Sequence, residues 1–116
     1  MFSFLKKKEA GSPDFSAATK ENVQDFVKTG QLQPMFLISP DFGGSTGVDN
    51  QIFVTPKAAK EKQQIDRELY SFLEKGTPVR QFHADLNYKE HSVVPSRILI
   101  TAVIDGKNYR KEIEVW

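Results

Sequence analysis

The chain contains no cysteine. That excludes disulfides, thiolate zinc sites and cysteine nucleophiles. Histidine is scarce as well, with only His83 and His91. A zinc site would need both imidazoles plus a carboxylate, so no metal and no cofactor is expected. No apolar run approaches the roughly 20 residues that span a bilayer, and no transmembrane segment is expected. An excess of one charge is also lacking: 16 Lys+Arg stand against 15 Asp+Glu, a net charge of +1. Such a balance gives no general attraction to nucleic acid or anionic membrane, and no nucleic-acid partner is expected. A cytoplasmic location is the expectation these absences leave.

What is present is apolar material sufficient for a core. The 116 residues are 39% hydrophobic and 11% aromatic, with nine phenylalanines. A chain of this length buries about two-thirds of its unfolded surface on folding. One domain over residues 16–116 is expected, preceded by a flexible tail over residues 1–15 punctuated by Gly11, Ser12, Pro13 and Asp14. At Met1–Lys8, an apolar cluster (Phe2, Phe4, Leu5) precedes three lysines, the reverse of a secretory signal. The segment reads as a frayed terminus; the alternative is a weak membrane contact, with the aromatic residues dipping into lipid and the lysines on its headgroups.

The pattern along the chain predicts seven elements. Ser16 or Thr19 caps a short helix carrying Val23, Phe26 and Val27 and stopped by Gly30. Met35–Ile38 and Ile52–Val54 are short apolar runs, read as strands buried on both faces. Thr55-Pro56 opens a long amphipathic helix to Lys75, with Ala58, Ile65, Leu69, Phe72 and Leu73 on one face. From Val79 the period falls to two: Phe82, Ala84, Leu86 and Tyr88 share one face, joined by Arg80, against Gln81, His83, Asp85 and Asn87 on the other. A strand ending at Ile104 and one beginning near Tyr109 flank Asp105-Gly106, a strong hairpin signal. Ile98, Ile100, Ala102 and Ile104 then share a core face with Tyr109, Lys111, Ile113 and Val115. Arg97 and Trp116 fall on the other face, within reach of a cation–π contact. The fold class is α+β, a single domain with a largely antiparallel sheet and two helices in the order α-β-β-α-β-β-β.

The segment from Ser39 to Asn50 is the first candidate site. It is longer than an ordinary hairpin connection, which has about 2–5 residues. Phe42 is the candidate apolar anchor, Gly43 and Gly44 would let a partner's backbone approach, and Asp41, Asp49 and Asn50 would orient it through hydrogen bonds. The loop lacks the Gly-Lys-Ser/Thr of a phosphate-binding loop, and a strand follows it rather than a helix. Ser45-Thr46-Gly47 has serine where an aspartic peptidase motif has aspartate. The loop aspartates read chiefly as turn residues.

The second candidate is the row His83, Asp85, Asn87. Residues two apart on a strand point the same way, and a carboxylate beside an imidazole orients it for general-base work. A hydrolase using His83 and Asp85 with Asp41 or Asp49 is therefore the alternative to a binding protein; a solvated polar row is the plainer reading. A third reading is a self-associating structural module, through an open edge on the C-terminal strand ending at Trp116.

Leu32-Gln33-Pro34-Met35-Phe36-Leu37, Phe42-Gly43-Gly44, Asn50-Gln51-Ile52-Phe53-Val54-Thr55-Pro56, Val94-Pro95 and Val115-Trp116 carry a resemblance. Over residues 32–116 the chain resembles small, largely uncharacterised bacterial proteins, some associated with toxin–immunity or secretion-related loci. The resemblance implies a non-catalytic interaction protein whose partner is another protein, such as a toxin that it binds and blocks. It brings no catalytic residues with it.

Overall fold

Two tight helix stops and one two-residue turn set the frame of the molecule, whose computed structural model describes residues 13–116. The elements are α1 (Val23–Lys28), β1 (Gln33–Phe36), β2 (Gln51–Val54), α2 (Pro56–Glu74), β3 (Val79–Tyr88), β4 (Pro95–Ile104) and β5 (Lys107–Glu114). This is the expected α+β order. β1 pairs antiparallel with β2, and β3, β4 and β5 form a separate antiparallel sheet in that order.

Local chemistry explains the boundaries. Thr19 and Asn22 exchange reciprocal bonds, the Asn22 amide to the Thr19 hydroxyl at 3.2 Å and the Thr19 amide to Asn22 Oδ1 at 2.7 Å. This leads into α1, which begins at Val23, later than the expected start. Both helices end in the same way: Gly30 and Gly76 adopt positive φ, and the next residue donates back to Phe26 and Phe72 respectively. Thr55 caps α2, its hydroxyl accepting from the Ala58 amide at 3.2 Å, with Pro56 in the first turn.

β4 is the spine of the larger sheet. Ile98, Ile100, Ala102 and Ile104 are buried on one face, beneath α2, together with Ile113 and Val115. Each of these isoleucine and valine side chains contributes about 2 kcal/mol by leaving water. The hairpin turns in two residues, Asp105 and Gly106, both at positive φ, and pairs Ile104 with Lys107 and Ala102 with Tyr109. The opposite face carries His83, Asp85, Asn87, Arg97, Arg110, Glu112 and Glu114 exposed, with Leu99, Thr101 and Val103 half-buried between them.

Several expectations are corrected. Phe15, assigned to the tail, is only 1% exposed and stacks edge-on against Phe26 and Trp116, so the core reaches back past residue 16. The runs Met35–Ile38 and Ile52–Val54 are not buried on both faces: Met35 through Ile38 and Phe53 are half-buried, with Ile52 and Val54 buried, because a two-stranded ribbon has no second layer on one side. In β3, Arg80 points outward and Val79 inward. An irregularity between Arg80 and His83, with Gln81 at φ 52°, resets the alternation before Phe82. Tyr88 is exposed rather than core, because the register slips again where Ser96 is inserted opposite Asn87 and Tyr88. Trp116 does not meet Arg97. The amides of Val115 and Trp116 both donate to the Ser96 carbonyl, which turns the indole toward Phe15; its Nε1 donates to the Val94 carbonyl at 3.0 Å, and Lys89 lies 5.0 Å from its ring centroid. The Met1–Lys8 segment lies outside the described residues.

Candidate functional site

The Ser39–Asn50 connection has an internal frame and an external surface. Asn50 builds the frame. Its Oδ1 accepts from the Ile38 amide at 2.9 Å, and its Nδ2 donates to the carbonyls of Ile38 and Ser45, each at 2.7 Å. Both amide hydrogens are thereby used, and the residue is only 8% exposed. Asn50 is therefore a staple within the loop and is not available to a partner. Gly44 has an equally internal role: a Cβ there would overlap the Ile38 carbonyl oxygen and crowd Asn50 Nδ2. Gly43 ends a short 3-10 turn, Pro40–Phe42, at φ 89°, a conformation that favours glycine. Asp49 accepts from the Ser45 hydroxyl at 3.1 Å, the turn role expected of a loop aspartate. The glycines expected to admit a partner thus serve the loop itself, Gly44 by close packing and Gly43 by its backbone conformation.

The surface is what that frame holds out. Asp41, Gly43 and Ser45 through Asp49 are exposed, and Val48 is 86% exposed. Phe42 is not a free anchor. It is half-buried, its ring 5.8 Å from that of Phe82, and packs against the core. Together Phe42, Leu69, Leu73, Val79 and Phe82 line an apolar groove of about 170 Å³. Leu69 is buried in it, and Leu73 is a large apolar residue 41% exposed. A cavity of about 150 Å³ lined by apolar side chains accepts a benzene ring, so this groove is sized for one aromatic or branched side chain. It joins the loop to the C-terminal half of α2 and the start of β3, which lie some way further along the chain.

His83 and Asp85 stand elsewhere. Both are exposed on the outer face of β3, opposite Thr101 and Leu99 of β4. Phe82 between the loop and the sheet points to the core face, so Asp41 lies on the helix side, where its charge acts on Asp66 of α2. The sheet thus separates His83 and Asp85 from Asp41, and the two groups do not form a pair with it. Among the described residues, no cluster of three metal-ligating side chains occurs.

Sequence reasoning missed Lys62. This lysine is only 1% exposed, and its Nζ donates to both carboxylate oxygens of Asp66 at 2.9 Å. Burial is the main influence on Asp66 and pushes its carboxyl above the usual range, opposed by Lys62 and reinforced slightly by Asp41. The signal was present: Lys62 occupies the apolar stripe between Ala58 and Ile65, with a carboxylate one turn on. On the β5 side, Tyr109 donates to Glu68 at 2.7 Å, and burial together with that carboxylate pushes its phenol well above the ordinary value.

No protein-family model matches this chain, and no curated protein matches it. Among the described residues, no helix is long and apolar enough to cross a membrane.

Proposed function

We propose that the protein is a small binding module without chemistry of its own, which captures another protein by seating an apolar side chain in the groove between the loop, α2 and β3. The observation that carries this reading is the groove itself: apolar, solvent-open, and bordered by a loop whose backbone is already pinned by Asn50. A preformed surface keeps the ordering cost of association low. Leu73 and Phe42 supply apolar contact, and exposed Asp41 at the rim supplies a hydrogen-bond acceptor. The likeness to toxin–immunity proteins supplies the class of partner, a toxin domain that the module blocks.

The test is affinity capture from the native cell extract with wild type and Leu73→Lys side by side, the bound proteins identified by mass spectrometry. Leu73 is exposed enough that the lysine leaves the fold intact, as circular dichroism checks. A protein held by wild type and lost from L73K supports the groove. Equal capture by both, or no partner at all, refutes it.

A further inference from the structure

We infer that β3 pairs across a two-fold axis with β3 of a second copy of this chain, centred on Ala84. β3 ends the sheet order β3-β4-β5, and among the described residues no strand pairs with its other edge. The phase of the ladder decides which groups lie on that edge. Ile104 and Lys107 close a two-residue hairpin, so Ile104 turns its backbone groups to β5. Val103, Thr101 and Leu99 then turn theirs to β3, where they meet Arg80, His83 and Asp85. The amide of Asp105, donating to the Pro78 carbonyl at 3.0 Å, sets the same phase. By alternation, the backbone N–H and C=O of Ala84 and Leu86 project from the edge with no strand to receive them. An edge of this kind is a template for another strand.

The side chains select both the occupant and the register. With the axis at Ala84, the bonded pairs are Ala84 with the partner's Ala84 and Phe82 with the partner's Leu86. The small residue lies at the crossing, and half-buried apolar side chains meet on the core face. On the outer face, His83 lies opposite the partner's Asp85 and Asp85 opposite the partner's His83, so an imidazole N–H donor meets a carboxylate acceptor twice in the non-bonded positions where side chains are closest. Moving the axis by one residue would set Asp85 against its own copy, or His83 against its own copy. On β5 a two-fold axis at Lys111 also sets Arg110 opposite the partner's Glu112, but it places Lys111 against its own copy at the crossing, where side chains are closest; an axis at Arg110 or Glu112 likewise sets like charges against each other, which is how natural edges avoid pairing. Self-association therefore belongs to β3 and not to the C-terminal strand, and the pairing joins two three-stranded sheets into one continuous sheet. The row His83, Asp85 then serves as a specificity code between copies. This interface does not depend on the groove being a capture site, since it is read without any other partner.

Sedimentation equilibrium of the full chain over a wide concentration range tests it, with His83→Asp, Asp85→His and the double swap H83D/D85H. All three change exposed residues only. The expected result is a concentration-dependent dimer that each single variant weakens about tenfold or more in Kd and the double swap restores. In the same samples, amide exchange of Ala84 and Leu86 slows as the dimer forms. A chain that stays monomeric at every concentration overturns the inference. So does a dimer that the single variants leave unchanged, or one that the double swap fails to restore.

Discussion

Replacing Asn50 is the sharpest probe of the loop. The side chain makes three hydrogen bonds to backbone groups of Ile38 and Ser45 and is almost fully buried. Each such bond is worth about 1 kcal/mol net, and a partner left buried and unpaired costs about 1–3 kcal/mol. The Ser45 carbonyl sits in an exposed turn and is rehydrated, whereas the Ile38 groups lie in the part-buried hairpin stem. Asn50→Ala should therefore cost about 3 kcal/mol, lowering Tm by about 10 °C in a domain of this size. Urea unfolding should show a lower midpoint at unchanged slope, since the surface exposed on unfolding is the same. Asn50→Asp separates shape from hydrogen bonding. The carboxylate is nearly the same size but presents an acceptor to the carbonyls of Ile38 and Ser45, so N50D should be less stable than N50A at neutral pH. Hydrogen exchange supplies an internal control. The Ile38 amide, bonded to Asn50 Oδ1, should lose protection in N50A, while the Leu37 amide, bonded to the Asn50 backbone carbonyl at 2.8 Å, should keep more of it. An N50A protein within about 0.5 kcal/mol of wild type, or an N50D protein more stable than N50A, would refute the staple.

Two titrations test the buried groups. Lys62→Met removes the influence that lowers the Asp66 carboxyl and leaves burial and the Asp41 charge, so Asp66 should titrate at higher pH in K62M than in wild type by carboxyl NMR; an unchanged or lower midpoint would contradict the pair. Because the folded-state value of Asp66 is raised, the native state holds this proton more tightly than the unfolded state. Its contribution to stability is fully present below about pH 4 and is lost as pH rises through the folded value, so Asp66 does not drive acid unfolding. Tyr109 is raised as well, so its contribution is present at neutral pH and decays only as pH rises above the unfolded value of about 10. Tyr109→Phe should leave the phenolate absorbance change below about pH 11 unaltered, since Tyr109 still holds its proton there, and a smaller change in the variant would refute the Glu68 bond.

The sequence determined the elements that local physics fixes. Thr55-Pro56, Gly30, Gly76 and Asp105-Gly106 set helix ends and a turn through backbone preferences that do not wait for tertiary contacts. The period-two patterning placed the isoleucines of β4 and Ile113 on the core face, because alternation leaves a strand only two faces to choose between. Tertiary structure decided the rest. Whether Phe42 is free or seated on Phe82, whether Asn50 faces a partner or its own loop, and that Lys62 is covered all depend on which distant segments meet. Two register shifts in the β3–β4 ladder turned Arg80 and Tyr88 outward, and strand alternation carries no signal for an inserted residue. The sheet's position between His83 and Asp41 removed an acid–base pair that residue types alone allowed. Chain-local energies are legible in order along the sequence; the groove and the open edge of β3 arise from proximity in space, which packing alone supplies.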